Sequence, residues 1–366
     1  MSQNLKKLFI AATRQNDGKT MTSLGLFNAI CKRFSSVAYM KPVGQQYVHV
    51  EDKKVDKDAF LFQRVYDLKD DFDYMSPIAV SKGFTQEYID KPSKEKYQRV
   101  LNHAYDSLVE NKDFLLVEGT GHAGVGSVFD LSNADVSKLF KTKVILVSLG
   151  GIGRSIDEIL LNKAVFDLQG VELMGVIINK IQQEKYDKVS YYIKKSLEDK
   201  GIPVFGCIPF VQMLNNPTIE TVFEKIGGKL LSSKVGYSNK VEKCVVGDMV
   251  PHDALTSLEP NSLFIVPANR EGLIMAALCG NLLDSDVVFY VSGIIFTGGK
   301  EPHDRVLDLI KRTHIPLMLV QEDSFNIATK ITNMLVKVGV NESEKIHKIQ
   351  DLVEEYVDVD GICERL

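Results

Sequence analysis

The sequence predicts an α/β protein whose larger part forms a parallel, doubly wound sheet, followed by a second, smaller α/β unit. Short apolar runs rich in β-branched residues recur along the chain, and each precedes a longer stretch with the i, i+3, i+4 apolar spacing of a helix. The runs are nearly continuous, as in VILVSL and MGVII, which is typical of strands covered on both faces. With 45% hydrophobic and 25% charged residues over 366 positions, the chain has the composition of an ordinary globular protein.

Predicted strands and helices alternate through the first part of the chain. The strands are Lys7–Thr13, Ser36–Pro42, Phe114–Glu118, Lys143–Leu149, Val171–Asn179 and Val204–Ile208. The helices between them are Gly18–Arg33, Asp58–Tyr66, Lys94–Asn111, Ile156–Asp167 and Glu184–Lys200. This alternation is the order expected of βαβ units with a parallel sheet.

A Gly/Ser/Lys-rich passage without periodicity, at 227–239, indicates a domain boundary. The smaller unit beyond it has predicted strands at Lys243–Val246, Leu263–Ile265, Val287–Val291 and Pro316–Val320, and predicted helices at Leu273–Leu283 and Arg305–Thr313. An acidic, helical tail then either packs back or mediates oligomerisation. We therefore expect domains at 1–230 and 241–338, a linker at 231–240 and the tail at 339–366.

Charge and hydropathy exclude several classes of partner. With 44 Lys and Arg against 48 Asp and Glu, the net charge is -4, so no global positive field attracts nucleic acid. The longest apolar stretch, Val287 to Phe296, is about half of the roughly 20 residues that a membrane helix needs. The five cysteines are far apart and form no CxxC pair, which indicates reduced thiols. We expect a soluble, cytoplasmic protein without a nucleic-acid or membrane partner.

The segment ATRQNDGKT, which follows the first strand, indicates a phosphate-binding loop. In the pattern GxxxxGK[ST], backbone N–H groups hold the phosphates, the lysine reaches the β and γ oxygens, and the hydroxyl coordinates Mg²⁺. The alternative is an exposed lysine at the start of a helix. The first glycine is replaced by Thr13, or by Ala12 if the loop is one residue longer. The expected nucleotide-binding residues here are Asn16, Asp17, Gly18, Lys19, Thr20 and Met21.

Two further charged residues are predicted at the carboxyl edge of the sheet, where open α/β sheets bind ligands. Glu118 ends the third strand, and an acid beside a phosphate loop commonly holds Mg²⁺; the alternative is a carboxylate that caps a helix. Lys41 ends the second strand and binds a substrate anion or phosphoryl group, unless it is a solvated strand-end lysine. The run Gly119–Gly124 also matches GxGxxG, but it lacks the acidic residue that a dinucleotide fold requires about 20 positions later.

Taken in order, AATRQNDGKT, MKPVG, VDKDAFLFQ, LLVEGTG, GVIINK and VFGCIPF resemble the dethiobiotin synthetase fold family. They are still more similar to the domain at the front of long phosphate acetyltransferases. The second unit resembles the DRTGG domain that follows it there, through CVVGDMVPHDALTSL, VPANREGLIMAAL, GIIFTGGKEP and IPLMLVQEDSFNIA. The resemblance covers residues 5 to 338, and at 366 residues we expect no acetyltransferase catalytic domain in this chain.

The resemblance implies roles for individual residues, with ATP and Mg²⁺ as cofactors. Lys19, Lys41 and Glu118 would be the catalytic residues, and Thr20, Asp58 and Glu118 the metal ligands. Asn179, which ends GVIIN, matches the asparagine that reads adenine, and Pro209 matches a residue that flanks the base. The stretch HAGVGSVFD at 122–130 departs from the substrate loop of dethiobiotin synthetase, so the substrate does not follow from the resemblance.

Two functions from different classes remain open. One is a non-catalytic module that responds to nucleotide in its first domain and to an unknown small molecule in its second, with a separate acetyltransferase as a partner. The other is an ATP-dependent ligase of the dethiobiotin or cobyrinate a,c-diamide synthase type. The resemblance also implies a homodimer or a larger homo-oligomer.

Overall fold

The computed structural model describes residues 5–232, 234–282 and 291–366, and the chain divides into two compact units. Unit 1 comprises Met1–Val211 and Val338–Leu366, and unit 2 comprises Gln212–Lys337. Of the predicted strand Val287–Val291, only Val291 is among the described residues. The last residue of the predicted helix Leu273–Leu283 also lies outside them. No helix in the described ranges has the length and apolar character needed to cross a membrane.

Unit 1 is built on a six-stranded parallel sheet with two small strand pairs beside it. Its strands are β1 (Lys6–Ala12), β2 (Val37–Met40), β3 (Val43–Gly44), β4 (Tyr47–Val50), β5 (Lys53–Asp56), β6 (Ile78–Ala79), β7 (Phe114–Glu118), β8 (Lys143–Leu149), β9 (Leu173–Ile181) and β10 (Val204–Pro209). The sheet order is β10-β9-β8-β1-β7-β2, and every neighbouring pair in it is parallel. The prediction of a parallel, doubly wound sheet is confirmed.

Helices join the successive strands of unit 1. They are α1 (Lys19–Cys31), α2 (Lys57–Tyr66), α3 (Phe72–Met75), α4 (Phe84–Asp90), α5 (Lys94–Leu108), α6 (Asn133–Phe140), α7 (Gly153–Leu168) and α8 (Tyr186–Glu198). The central strands β1, β7 and β8 are buried along almost their whole length, as their continuous apolar runs predict. These buried strands hold the residues at their carboxyl ends in fixed positions.

Unit 2 has a five-stranded sheet with helices on both faces. Its elements are α9 (Ile219–Ile226), β11 (Lys229–Leu230), β12 (Lys243–Val246), α10 (Pro251–Ser257), β13 (Ser262–Pro267), α11 (Glu271–Leu282), β14 (Val291–Thr297), α12 (Asp304–Lys311), β15 (Leu317–Leu319) and α13 (Ser324–Thr332). The order is β11-β15-β14-β13-β12, with only β11 antiparallel to its neighbour. Two apolar clusters, one on each side of the sheet, form its core.

The division between the units differs from the expected domain bounds. Ile219, Val222 and Phe223 of α9 are buried in a core cluster of unit 2, and β11 pairs with β15. Unit 2 thus begins at Gln212, and residues that we expected in the first domain and in a linker belong to it. The sequence of α9 shows that the helix has an apolar face, but it does not show which unit that face packs against. The structure was therefore needed to assign α9 to unit 2.

The C-terminal tail packs back onto unit 1, which is the first of the two outcomes expected for it. Its helices are α14 (Ser343–Tyr356) and α15 (Val359–Glu364). α14 lies against α1 so closely that a Cβ atom added at Gly25 would be 2.3 Å from Val353 Cγ2. The backbone N–H of Asp358 donates to the carbonyl of Phe205 at 2.7 Å. The tail thus forms a backbone hydrogen bond with β10, the edge strand of the sheet. Unit 2 is consequently an insertion between two parts of unit 1.

Candidate functional site

The predicted phosphate loop lies at the carboxyl end of β1, where the strand order reverses between β7 and β8. Such a reversal is the place where open α/β sheets bind ligands. Gly18 adopts a left-handed conformation with φ of 93°, and a Cβ atom there would lie 2.0 Å from Asn179 Nδ2, so only glycine fits. α1 begins at the next residue, Lys19.

The loop does not need a glycine at position 13, because the residues with positive φ angles lie later in the loop. Asn16, with φ of 72°, and Gly18 have positive φ angles, whereas Thr13 continues the strand and donates its N–H to Val147 at 2.9 Å. The Thr13 hydroxyl donates to Asp17 Oδ2 at 2.6 Å, and the N–H of Arg14 donates to the same oxygen at 2.8 Å. Burial raises the pKa of Asp17, and these two hydrogen bonds partly oppose the effect.

Two asparagine side chains hold main-chain carbonyls of the loop. Asn179 Nδ2, at the end of β9, donates to the carbonyl of Asp17 at 3.0 Å. Asn162 Nδ2, on α7, donates to the carbonyl of Thr13 at 3.2 Å. The structure therefore places Asn179 beside the loop, and a part in reading adenine stays a prediction. Pro209 is buried at the end of β10, the strand next to β9, so it and Asn179 share the carboxyl edge.

The predicted acidic and basic residues meet in one buried cluster. Glu118 Oε1 accepts from the Thr20 hydroxyl at 2.9 Å and from Lys41 Nζ at 2.9 Å. Lys41 also donates to Asp58 Oδ2 at 2.9 Å and to the carbonyl of Gly119 at 3.0 Å. The exposed fractions are 0% for Glu118, 4% for Lys41 and 6% for Asp58. The readings of Lys41 as a solvated lysine and of Glu118 as a helix cap are therefore wrong.

The charges in this cluster stabilise one another. Burial lowers the pKa of Lys41, but the carboxylates of Asp58 and Glu118 outweigh it, so the pKa of Lys41 is raised above its usual range. Burial, followed by the charge of Glu118, raises the pKa of Tyr39, whose hydroxyl lies 3.2 Å from Glu118 Oε2. Lys41 is thus a permanent cation and Tyr39 a neutral hydrogen-bond donor across the physiological pH range.

The donor set fits a magnesium ion that arrives with a phosphate ligand. Cis ligands of an octahedral Mg²⁺ ion lie about 3 Å apart, and Thr20 Oγ1 and Glu118 Oε1 are 2.9 Å apart. Within the described ranges, no three His, Cys, Asp or Glu side chains come together as a metal-binding group. The remaining ligands would therefore be phosphate oxygens and water, which is the usual arrangement for Mg²⁺. Lys41 lies against both Asp58 and Glu118, an arrangement that the sequence does not predict.

Sequence reasoning missed three residues of the site. Tyr39 lies in β2, two positions before Lys41, which directly follows the strand, and the extended backbone turns both side chains toward Glu118, so the period-two spacing was a usable signal. Asn133 and Asn162 are polar residues on the buried sides of α6 and α7. No local pattern distinguishes them from ordinary helix residues. Met21, which was also expected at the nucleotide, lies in the first turn of α1.

The fold and this site define a domain of the P-loop type, followed by a second α/β domain. The chain belongs to the family described as AAA domain, which matches residues 6–218, and a DRTGG domain matches residues 221–334. A dethiobiotin synthetase-like P-loop domain and a DRTGG domain in this order correspond to the N-terminal region of long phosphate acetyltransferases.

Curated relatives match either the whole chain or unit 1 alone. A phosphate acetyltransferase of Nitratidesulfovibrio vulgaris is 25% identical over 378 residues, which cover 100% of this chain and 52% of the relative. An ATP-dependent dethiobiotin synthetase BioD of Methanocaldococcus jannaschii is 28% identical over 227 residues, which cover 60% of this chain and 99% of the relative. The chain thus spans about half the length of the acetyltransferases that it matches.

Solved structures match at lower similarity. A plasmid partition protein from Borrelia burgdorferi bound to AMPPNP has 12% identity and a TM-score of 0.40, covering 58% of this chain and 90% of its own. The CBS and DRTGG domains of a Clostridium perfringens pyrophosphatase, complexed with diadenosine tetraphosphate, have 15% identity and a TM-score of 0.27, covering 48% and 85%.

Proposed function

We propose that unit 1 binds ATP with Mg²⁺ and that the chain acts as a nucleotide-responsive regulatory module. The observation that favours regulation over catalysis is the hydrogen bonding of Lys41. An ammonium group has three N–H donors, and Asp58, Glu118 and the carbonyl of Gly119 accept three hydrogen bonds from it. A lysine engaged in this way holds the site together and has no donor directed at a substrate.

The nucleotide would bind through the loop and the start of α1. The backbone N–H groups there point toward the carboxyl edge, and the helix dipole adds a partial positive charge. Lys19 would contact the β and γ phosphates, while Thr20 and Glu118 would hold the metal ion. A bound Mg²⁺ would neutralise the phosphate charge. Asn179 and Pro209 would flank the base.

A second candidate function is an ATP-dependent ligase of the dethiobiotin or cobyrinate a,c-diamide synthase type. The observation in its favour is that Lys41, Asp58 and Glu118 lie together next to Thr20. A developing phosphoryl charge could draw Lys41 away from these acceptors. In this case Lys19, Lys41 and Glu118 would be the catalytic residues that the sequence suggests.

The remaining parts of the proposal concern partners. Unit 2, the DRTGG domain, would bind a small molecule, and the regulated partner would be an acetyltransferase on a separate chain. We further propose a homodimer or larger closed oligomer, since closed symmetry is the common form of such assemblies. Light scattering at micromolar concentration tests this assembly, and a monomer would exclude it.

Calorimetric titration with ATP, with and without Mg²⁺, tests the central proposal, and phosphate release is measured on the same samples. Lys19→Ala should abolish binding. Lys195→Ala is a matched control, because it removes the same charge from the exposed last turn of α8, at the opposite edge of the sheet.

The outcomes separate the candidates. Mg²⁺-dependent binding that is lost only in Lys19→Ala, with negligible turnover, supports the regulatory module. Turnover that a small acid or amine accelerates supports the ligase. Failure of the wild-type chain to bind ATP excludes both functions.

A further inference from the structure

Asn162 connects the phosphate loop to a second loop at the same edge of the sheet. Its Nδ2 donates to the carbonyl of Thr13 at 3.2 Å and to the carbonyl of Glu158, within α7, at 2.9 Å. Its Oδ1 accepts from the N–H of Ala123 at 2.8 Å. Ala123 belongs to the segment 119–126, here called the β7 loop, which follows Glu118. One buried side chain thus bonds to the main chain of both loops.

Burial makes this connection energetically significant. Asn162 is 5% exposed, and its two amide hydrogens and its carbonyl oxygen all have partners. A buried amide that loses one partner costs about 1 to 3 kcal/mol, so movement of one loop alone is penalised. A shift of Thr13 therefore acts on Ala123 through the rigid amide plane.

We infer that Asn162 is a positioning residue that couples nucleotide binding in the phosphate loop to the conformation of the β7 loop. This inference rests on the proposed function and extends it, because the β7 loop carries Thr120 and His122 to the edge where a second ligand would lie beside the phosphates. By linkage, a ligand of the β7 loop changes the affinity for ATP by the same factor.

The other links between the two loops are weaker candidates for this role. The N–H of Ala12 donates to the carbonyl of Gly121 at 3.2 Å, but Ala12 is the last residue of β1 and is held in place by its pairing with Val147. Asn133 supports the β7 loop through Thr120 and His122, and no described contact joins it to the phosphate loop. Among these residues, Asn162 alone bonds through its side chain to the main chain of both loops.

Asn133 is therefore a matched control for Asn162. Both are buried asparagines with 5% exposure, both lie on helices, and both hold the β7 loop. The experiment measures hydrogen exchange by mass spectrometry in the full chain, with and without ATP and Mg²⁺. Peptides covering 12–21 report nucleotide binding, and peptides covering 119–126 report the β7 loop.

In the wild-type chain, ATP should slow exchange in both segments, by at least about fivefold in 119–126, the lower end of ordinary coupling factors. In Asn162→Ala the effect in 12–21 should remain, while the effect in 119–126 should fall below about twofold. In Asn133→Ala, exchange of 119–126 should be faster overall, but ATP should still slow it as in the wild type.

Protection of 12–21 without protection of 119–126 in the wild-type chain would overturn the inference and leave ATP binding intact. Undiminished protection of 119–126 in Asn162→Ala would also overturn it. If ATP protects neither segment, the proposed function itself fails. Since Asn162→Ala could misfold, Asn162→Ser provides a second variant, and a lack of protection of 119–126 in the wild-type chain overturns the inference without either.

Discussion

Thr20 Oγ1 donates a hydrogen bond of 2.9 Å to Glu118 Oε1, although 98 residues separate the two positions. The bond exists because β1 and β7 are parallel neighbours, so the first turn of α1 and the last residue of β7 meet at one edge. A hydroxyl and a carboxylate 2.9 Å apart have the spacing of cis ligands of a Mg²⁺ ion, and this spacing supports the proposed metal-binding role.

Thr20→Val should remove the Mg²⁺ dependence of ATP binding. Valine keeps the β-branched shape but lacks the hydroxyl, so the metal loses one of its two protein ligands. We expect the affinity in Mg²⁺ to fall about tenfold, or about 1.4 kcal/mol, while the affinity in EDTA changes little. Thr20→Ser should behave like the wild type in calorimetry. An equal loss with and without Mg²⁺ would contradict a metal-binding role.

Lys41→Met should destabilise unit 1 strongly. It removes the cation between two carboxylates that are almost completely buried, and such a loss costs about 3 to 5 kcal/mol. In urea unfolding at pH 7, the midpoint of the transition should fall accordingly, without a change in its slope.

Lys53→Met is the control for this variant. Lys53 also contacts two aspartates, Asp71 and Asp73, but all three side chains are substantially exposed. Because solvent screens such pairs, we expect little change in stability. Equal losses in the two variants would show that burial of the Lys41 cluster does not matter.

Gly25→Ala should destabilise the packing of the tail on α1. The new methyl group would lie 2.3 Å from Val353 Cγ2 and 2.9 Å from the carbonyl oxygen of Ile349, so α14 must shift, at a cost of about 1 to 3 kcal/mol. In thermal unfolding, Val353→Ala should partly relieve this effect, so the double variant should be non-additive. Gly153→Ala, which meets no atom within 4 Å, should be tolerated.

The stability of unit 2 should decrease between pH 9 and 11 through Cys244. Burial raises the pKa of this thiol to about 11, so the folded state retains a proton that the unfolded state releases from about pH 9. The full effect of two pKa units is at most about 2 to 3 kcal/mol. Cys244→Ala should lose stability less steeply with pH than the wild type, as followed by denaturant unfolding. Parallel pH profiles would contradict the raised pKa.

Much of the fold follows from local patterns. β7 and β8 have the bounds that their apolar runs predict, because strands buried on both faces need continuous apolar sequence. The clustering of Thr20, Lys41 and Glu118 follows from the same logic, since all three lie at carboxyl ends of parallel strands or just beyond one.

Other features depend on contacts that no local pattern encodes. The apolar face of α9 fits either unit equally well by sequence, and only the structure shows that Ile219 and Phe223 pack in unit 2. The salt bridges of Lys41 to two acids, and the hydrogen bonds of Asn162 to two loops, depend on side-chain geometry at long sequence separation.

The return of residues 338–366 to unit 1 determines the order in which the two units can become complete during synthesis. The ribosome delivers all of unit 2 before it delivers α14 and α15. Unit 2 can therefore finish folding before α14 and α15 are available. Until then, the surface of α1 around Gly25 and the edge of β10 remain uncovered. Domains usually mature in the order of translation, from the N-terminus onward. Here unit 1 begins before unit 2 and is complete only after it, so the surface of α1 is covered only once α14 and α15 have emerged.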